Sequence, residues 1–180
     1  MVLNNIVFMK YGTHANEPPD TIIKRKINEV NLYGYTFWGY GGTSCHPLNQ
    51  ILPFIKMNFE RGEETYLVLS RINTVWNGNS TNASFFSFNN KDWLPIPKEH
   101  SIRGSKFAII CRSFEECSYT IDLSSYRVPV GNSQGQLLSN YICGMNTKGC
   151  GSLVVSNRVE TEKKVHISAI AKIESAVFVR

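Results

Sequence analysis

The chain has 180 residues, 42% of them hydrophobic and 12% aromatic, with a formal net charge of +5. That hydrophobic fraction excludes a disordered tail, and no apolar run approaches the ~18 residues that a membrane-spanning helix needs. The mild basic balance suits a phosphate-bearing ligand, while the lack of a dense Lys/Arg block or basic stripe argues against a binder of nucleic-acid duplex.

The N-terminal stretch MVLNNIVFMKYG has neither the basic start nor the long apolar run of a secretory signal. It reads instead as a first strand ending at Gly12. Residues 13–20, THANEPPD, form a polar loop stiffened by Pro18 and Pro19, with Asp20 as the expected N-cap of a helix. Ile23, Ile27 and Val30 give that helix an apolar face, and Gly34 closes it. Its basic run Lys24–Lys26 reads as a solvated face. YTFWGY is a second strand. A second helix is expected from Pro47, with Leu48, Ile51, Leu52, Ile55 and Phe59 on one face and Gly62 as its end; Pro53 would either kink it or delay its start. ETYLVLSRI is a third strand.

Beyond residue 72 the texture changes. TVWNGNSTN reads as a loop, ASFFSF as a strand, NNKDWLPIPKEH as a long loop and SKFAIICRSF as a strand. SYTIDL, YRVPVG, SLVVSNRV, KKVHISAIAKI and SAVFV are further short strands. The expected fold class is therefore α+β: one domain over residues 1–180, with a βαβαβ-like half on a mixed sheet (1–72) and a C-terminal half of short antiparallel strands or a small barrel (73–180).

One stretch carries most of the chemistry. In YTFWGYGGTSCHP a strand runs through Trp38 and Tyr40 into Gly41, Gly42, Thr43, Ser44, Cys45 and His46, just ahead of the expected second helix. Glycines let backbone amides approach a ligand, a helix start presents free N–H groups, and the rings of Trp38 and Tyr40, or of Tyr35 and Phe37 in the reversed register, offer faces for stacking. Thr13 and His14 stand in the same way after the first strand. If the first two strands are parallel neighbours, both corners lie on one rim, where open α/β sheets bind ligands. Trp93, among Lys91, Lys98 and Arg103, is a second aromatic–cation grouping that suits a lid or wall.

Enzymatic readings are thinner. Cys45 with His14 as its base is a nucleophile arrangement, and a small buried thiol is the plainer reading. Cys111 with Cys117, and Cys143 with Cys150, lack the tight spacing of structural zinc sites, so no metal is expected. Five cysteines, an odd number, fit a reducing, cytoplasmic setting. FWGYGGTS followed by a helix and TYLVLS resembles the first NAD-binding element of ADP-ribosyltransferases. That resemblance implies a cofactor contact near Thr43 and Ser44 and a catalytic glutamate at Glu160 or Glu162. The His or Arg that the family places before its Gly-Thr pair is Gly41 or Tyr40 here.

The leading expectation is a non-enzymatic module without a cofactor that binds a nucleotide, a nucleotide-derived signal or a short nucleic-acid segment. It would work by sequestration, as small phage proteins do with host immune nucleotides. A nucleotide-cofactor enzyme and a nucleic-acid-binding domain are the alternatives, and a homo-oligomer is an open partner.

Overall fold

The computed structural model describes residues 2–41, 47–78, 81–143, 146–154 and 161–180. The chain is α+β, with a mixed sheet in which, among the described residues, one pair of strands is parallel and the others are antiparallel. Strand β1 (Asn5–His14) leads through helix α1 (Pro19–Tyr33) to β2 (Thr36–Tyr40), then through α2 (Ile51–Glu60) to β3 (Tyr66–Trp76). There follow β4 (Phe85–Ser87), β5 (Leu94–Pro95), β6 (Phe107–Cys111), β7 (Glu115–Asp122) and a 3-10 turn at Leu123–Ser125. The last elements are β8 (Tyr126–Arg127), α3 (Leu138–Tyr141), β9 (Lys148–Leu153) and β10 (Lys164–Val179).

The strand order is β2-β6-β10-β3-β1-β9-β8. β1 and β3 run parallel side by side, while β2 lies at an edge, paired antiparallel with β6. The expected parallel adjacency of β1 and β2 is therefore incorrect, because three strands intervene. β10 is the spine. It was expected as two strands, KKVHISAIAKI and SAVFV, and is one strand of 16 residues. Its register shift between Ile173 and Ser175 is the break visible in the sequence. Along one edge it pairs successively with β7 and β6; along the other it pairs with β3 and β4.

Strand alternation sorts the core. Val7, Met9 and Tyr11 of β1 face the same cluster as Ile22 and Ile23 of α1, Ile51, Phe54 and Ile55 of α2, and Trp38 and Tyr40 of β2. Ile6 and Phe8 face the other way, onto Leu123, Tyr126, Leu138 and Ile142. A third cluster joins Phe37 and Val177 to Ile96 and Ile102. Both faces of the sheet are thus covered, which is why its central strands read as nearly continuous apolar runs.

The helix ends differ from expectation in detail. Pro18 is the N-cap of α1 and Pro19 its first residue, where the missing N–H is harmless. Asp20 sits in the first turn and pairs with Arg71 at 2.7 Å instead of capping. Gly34 closes the helix with φ +76° and donates its N–H to Val30, as expected. α2 begins only at Ile51, so Pro53 falls in its first turn and kinks nothing. Its buried residues are Ile51, Phe54, Ile55 and Asn58, whereas Leu48 and Phe59 are exposed. The Lys24–Lys26 run is not a solvated face either: Lys24 is exposed, Arg25 is half-buried and Lys26 is buried.

β3 continues through Thr74-Val75-Trp76, which had read as loop. Between Tyr11 and Thr13 the register advances two residues on β1 and four on β3, from Arg71 to Val75. The extra residues of β3 bulge around Gly12. A Cβ on Gly12 would stand 2.5 Å from the Thr74 carbonyl oxygen, a backbone atom with no room to move. Gly12→Ala should therefore lower stability by about 1–3 kcal/mol, read as a lowered Tm. Gly41→Ala, which meets only the Gly104 carbonyl at 3.9 Å, should leave Tm nearly unchanged. Equal melting of the two variants would contradict the bulge as the reason for Gly12.

Candidate functional site

The C-terminal ends of β1 and β2 come together despite their separation in the sheet. The Tyr11 and Trp38 rings meet edge to face with centroids 5.8 Å apart, so the sheet curves enough to bring its two parts into contact. Beside them opens a cavity of about 650 Å³, within the range of small-molecule sites. Its walls come from the ends of β1 and β2, from the β3 bulge with Trp76, from α1, from the segment 101–105 and from Thr147 and Lys148.

Each wall has a local cause. Gly39 interrupts the bulky residues of β2; a Cβ there would stand 2.5 Å from Ser105 Oγ and 2.8 Å from Ile102 Cγ2. Its absence lets segment 101–105 lie against the strand. His14 Nε2 donates to the Arg103 carbonyl at 3.0 Å, and the imidazole stacks on Trp76 at 4.6 Å. Since a carbonyl only accepts, the proton on this ring sits on Nε2. Trp38 stacks on Phe114 and Tyr40 on Phe107, both with centroids 5.8 Å apart. These rings are therefore core and cavity wall together.

The α1 wall is a buried ionic network. Arg25 makes a two-pronged contact with Glu17, Nε to Oε1 and Nη2 to Oε2, both 2.8 Å. Its Nη1 donates to Glu29 Oε1 at 2.8 Å and to the Ser101 carbonyl at 3.2 Å. Lys26 Nζ donates to Glu29 Oε2 and to the Ser101 carbonyl, both at 3.0 Å. Thr36 Oγ1 and the Ser101 N–H also donate to Glu29. One carboxylate thus ties α1, β2 and segment 101–105 together. Burial tends to raise the Glu29 pKa, but Lys26, Thr36 and Arg25 outweigh it and hold the carboxyl below its usual range. Burial is the main influence on Lys26 and pushes its ammonium down to about 8, even though Glu29 favours the charged form.

Of the residues expected at a site, Thr13, His14, Trp38, Tyr40, Gly41 and Arg103 line this one cavity. Gly42, Thr43, Ser44, Cys45 and His46 lie outside the described residues. Trp93 stands elsewhere, with the Arg180 guanidinium over its ring at 4.2 Å. Glu160 lies outside the described residues, and Glu162 forms an exposed ion pair with Lys164 away from the cavity. Sequence reasoning missed Tyr11, Arg25, Lys26 and Trp76. Tyr11 stood in the quoted strand end. Lys26, Glu29 and Arg25 showed only as a charged helix face, and nothing in the spacing distinguishes a buried pair from a solvated one.

Among the described residues, no group of three His, Cys, Asp or Glu side chains could hold a metal ion. Cys111 is buried and its thiol pushed up to about 12, which makes it inert at neutral pH. A second cavity of about 650 Å³ runs past Leu52, Pro53, Phe59, Phe88 and Phe178. It is a mostly apolar groove with Lys56, Glu174 and Ser175 also in its lining. Comparison with protein-family models, curated proteins and solved structures finds no match.

The network has a pH signature. Glu29 titrates lower in the folded chain than in the unfolded one, so its stabilisation is present above about 4.5 and is lost as pH falls through the folded value. Glu29→Gln, which leaves Lys26 buried without its counter-charge, should cost about 3–5 kcal/mol at neutral pH. Its Tm should also fall less between pH 5 and pH 3 than that of the wild type. Parallel Tm-versus-pH curves would remove Glu29 from this role.

Proposed function

We propose that the protein binds a small anionic ligand with a flat ring, of the nucleotide class, and holds it unchanged. The observation that carries this reading is the cavity at the ends of β1 and β2: aromatic inside, near 650 Å³, and edged by cations. Trp38 and Tyr11 supply apolar, ring-shaped wall surface, and the half-exposed Trp76 stands with its ring held by His14. Base–aromatic contacts of this kind are tolerant of ring identity. Arg103 is exposed and Lys10 half-buried, and neither is in an ion pair among the described residues, so both are available to a phosphate.

Holding rather than converting is the simpler chemistry for these walls. The Tyr11 hydroxyl is hydrogen-bonded to Ser168 at 3.0 Å, and Ser105 Oγ donates to the Arg103 carbonyl at 3.3 Å. Neither hydroxyl is set against a base, as an activated nucleophile would be. Sequestration of a nucleotide-derived signal is the role that follows.

Two measurements test this. Mass spectrometry of small molecules released from heat-denatured protein should recover a nucleotide-class compound with its structure intact; release of a converted product would contradict a purely binding role. Trp76→Ala should weaken nucleotide binding by about 1–3 kcal/mol, followed by the remaining tryptophan fluorescence. Unchanged affinity would take Trp76 out of the site.

A further inference from the structure

We infer that a nucleotide enters this cavity ring first, with a neutral hydrogen-bond acceptor on the ring turned to Lys26 and the phosphate left outward at Arg103. The inference rests on the nucleotide reading of the cavity and goes beyond it by fixing which end of the ligand is buried.

The argument starts from donors. An ammonium carries three N–H groups. Lys26 commits one to Glu29 Oε2 and one to the Ser101 carbonyl, and its side chain is 4% exposed. Among the described residues the third N–H has no partner, and Lys26 lines the cavity. A buried, unsatisfied donor is costly, and an acceptor delivered by a ligand would relieve it.

Charge then decides what kind of acceptor. Two cations, Arg25 and Lys26, face two carboxylates, Glu17 and Glu29, within the same network. The α1 wall is therefore neutral overall. A phosphate pushed against it would lose its hydration and meet the Glu17 carboxylate, while Arg25 and Lys26 are already neutralised by Glu17 and by Glu29 behind them, with no surplus positive charge in return. A ring carbonyl or ring nitrogen loses far less on leaving water. Positive charge outside that network lies on half-buried Lys10 and on Arg103, and of the two the exposed Arg103 guanidinium matches a phosphate in shape and donor geometry.

Competition binding tests the orientation. The four common ribonucleoside 5′-monophosphates are titrated by tryptophan fluorescence. The tightest is then prepared with a fluorophore linked either through its phosphate or through its base. The phosphate-linked probe should bind within about threefold of the parent, and the base-linked probe should lose about tenfold or more. In addition, Arg103→Ala should weaken the parent nucleotide by about tenfold. A base-linked probe that binds as well as the phosphate-linked one, or an Arg103→Ala protein of unchanged affinity, would overturn the orientation while leaving the cavity a nucleotide site. Failure of all four monophosphates to bind would overturn the nucleotide reading and this inference together.

Discussion

The Glu29 carboxylate holds the site together. It sits on the inner face of α1 and accepts hydrogen bonds from Arg25, Lys26, Thr36 and the Ser101 backbone. Among the described residues it is the polar tie between α1 and β2, through Thr36; without it segment 101–105 would lose the Ser101 N–H contact and keep those of the Ser101 carbonyl with Arg25 and Lys26 and of the Arg103 carbonyl with His14. A buried carboxylate is tolerated only when its lone pairs are filled, and here they are. Replacing such a network by apolar side chains would often stabilise a protein. Its presence on a cavity wall is therefore better explained by what it positions than by the stability it adds.

The second constraint is β10. One strand of 16 residues pairs with β7 and β6 along one edge and with β3 and β4 along the other. Among the described strands it alone pairs in both parts of the sheet. Because the sheet curves about it, the ends of β1 and β2, separated by three strands in order, still meet through Tyr11 and Trp38. The cavity is a product of that curvature, and neither corner forms it alone.

Local signals were legible where backbone chemistry sets them. Gly34 ends α1 because a left-handed residue favours glycine there, and the apolar runs of β1, β3 and β10 sit where two-sided burial demands them. Long-range facts were not legible. The neighbours of β2 depend on hydrogen bonds to β6, more than sixty residues away. The lysine run on α1 looked solvated because its partner, the Ser101 carbonyl, lies 75 residues further on. Pro53 left a kinked helix and a delayed start equally open, because the start of α2 at Ile51 is set by tertiary packing of Ile51 and Phe54 and not by Pro47. At the cavity, glycines and aromatics marked both corners, while the charged wall went unread because its members are spread over α1 and a distant loop.

The central claim is that the cavity between α1, the ends of β1 and β2 and segment 101–105 is where a nucleotide binds. Hydrogen–deuterium exchange of the intact chain, with and without saturating ribonucleoside monophosphate, tests it most directly. Slowed exchange should concentrate in residues 12–15 and 101–105, with α2 unaffected. Protection centred on α2 and the groove beside Phe59 and Phe88, or no protection anywhere, would contradict the account.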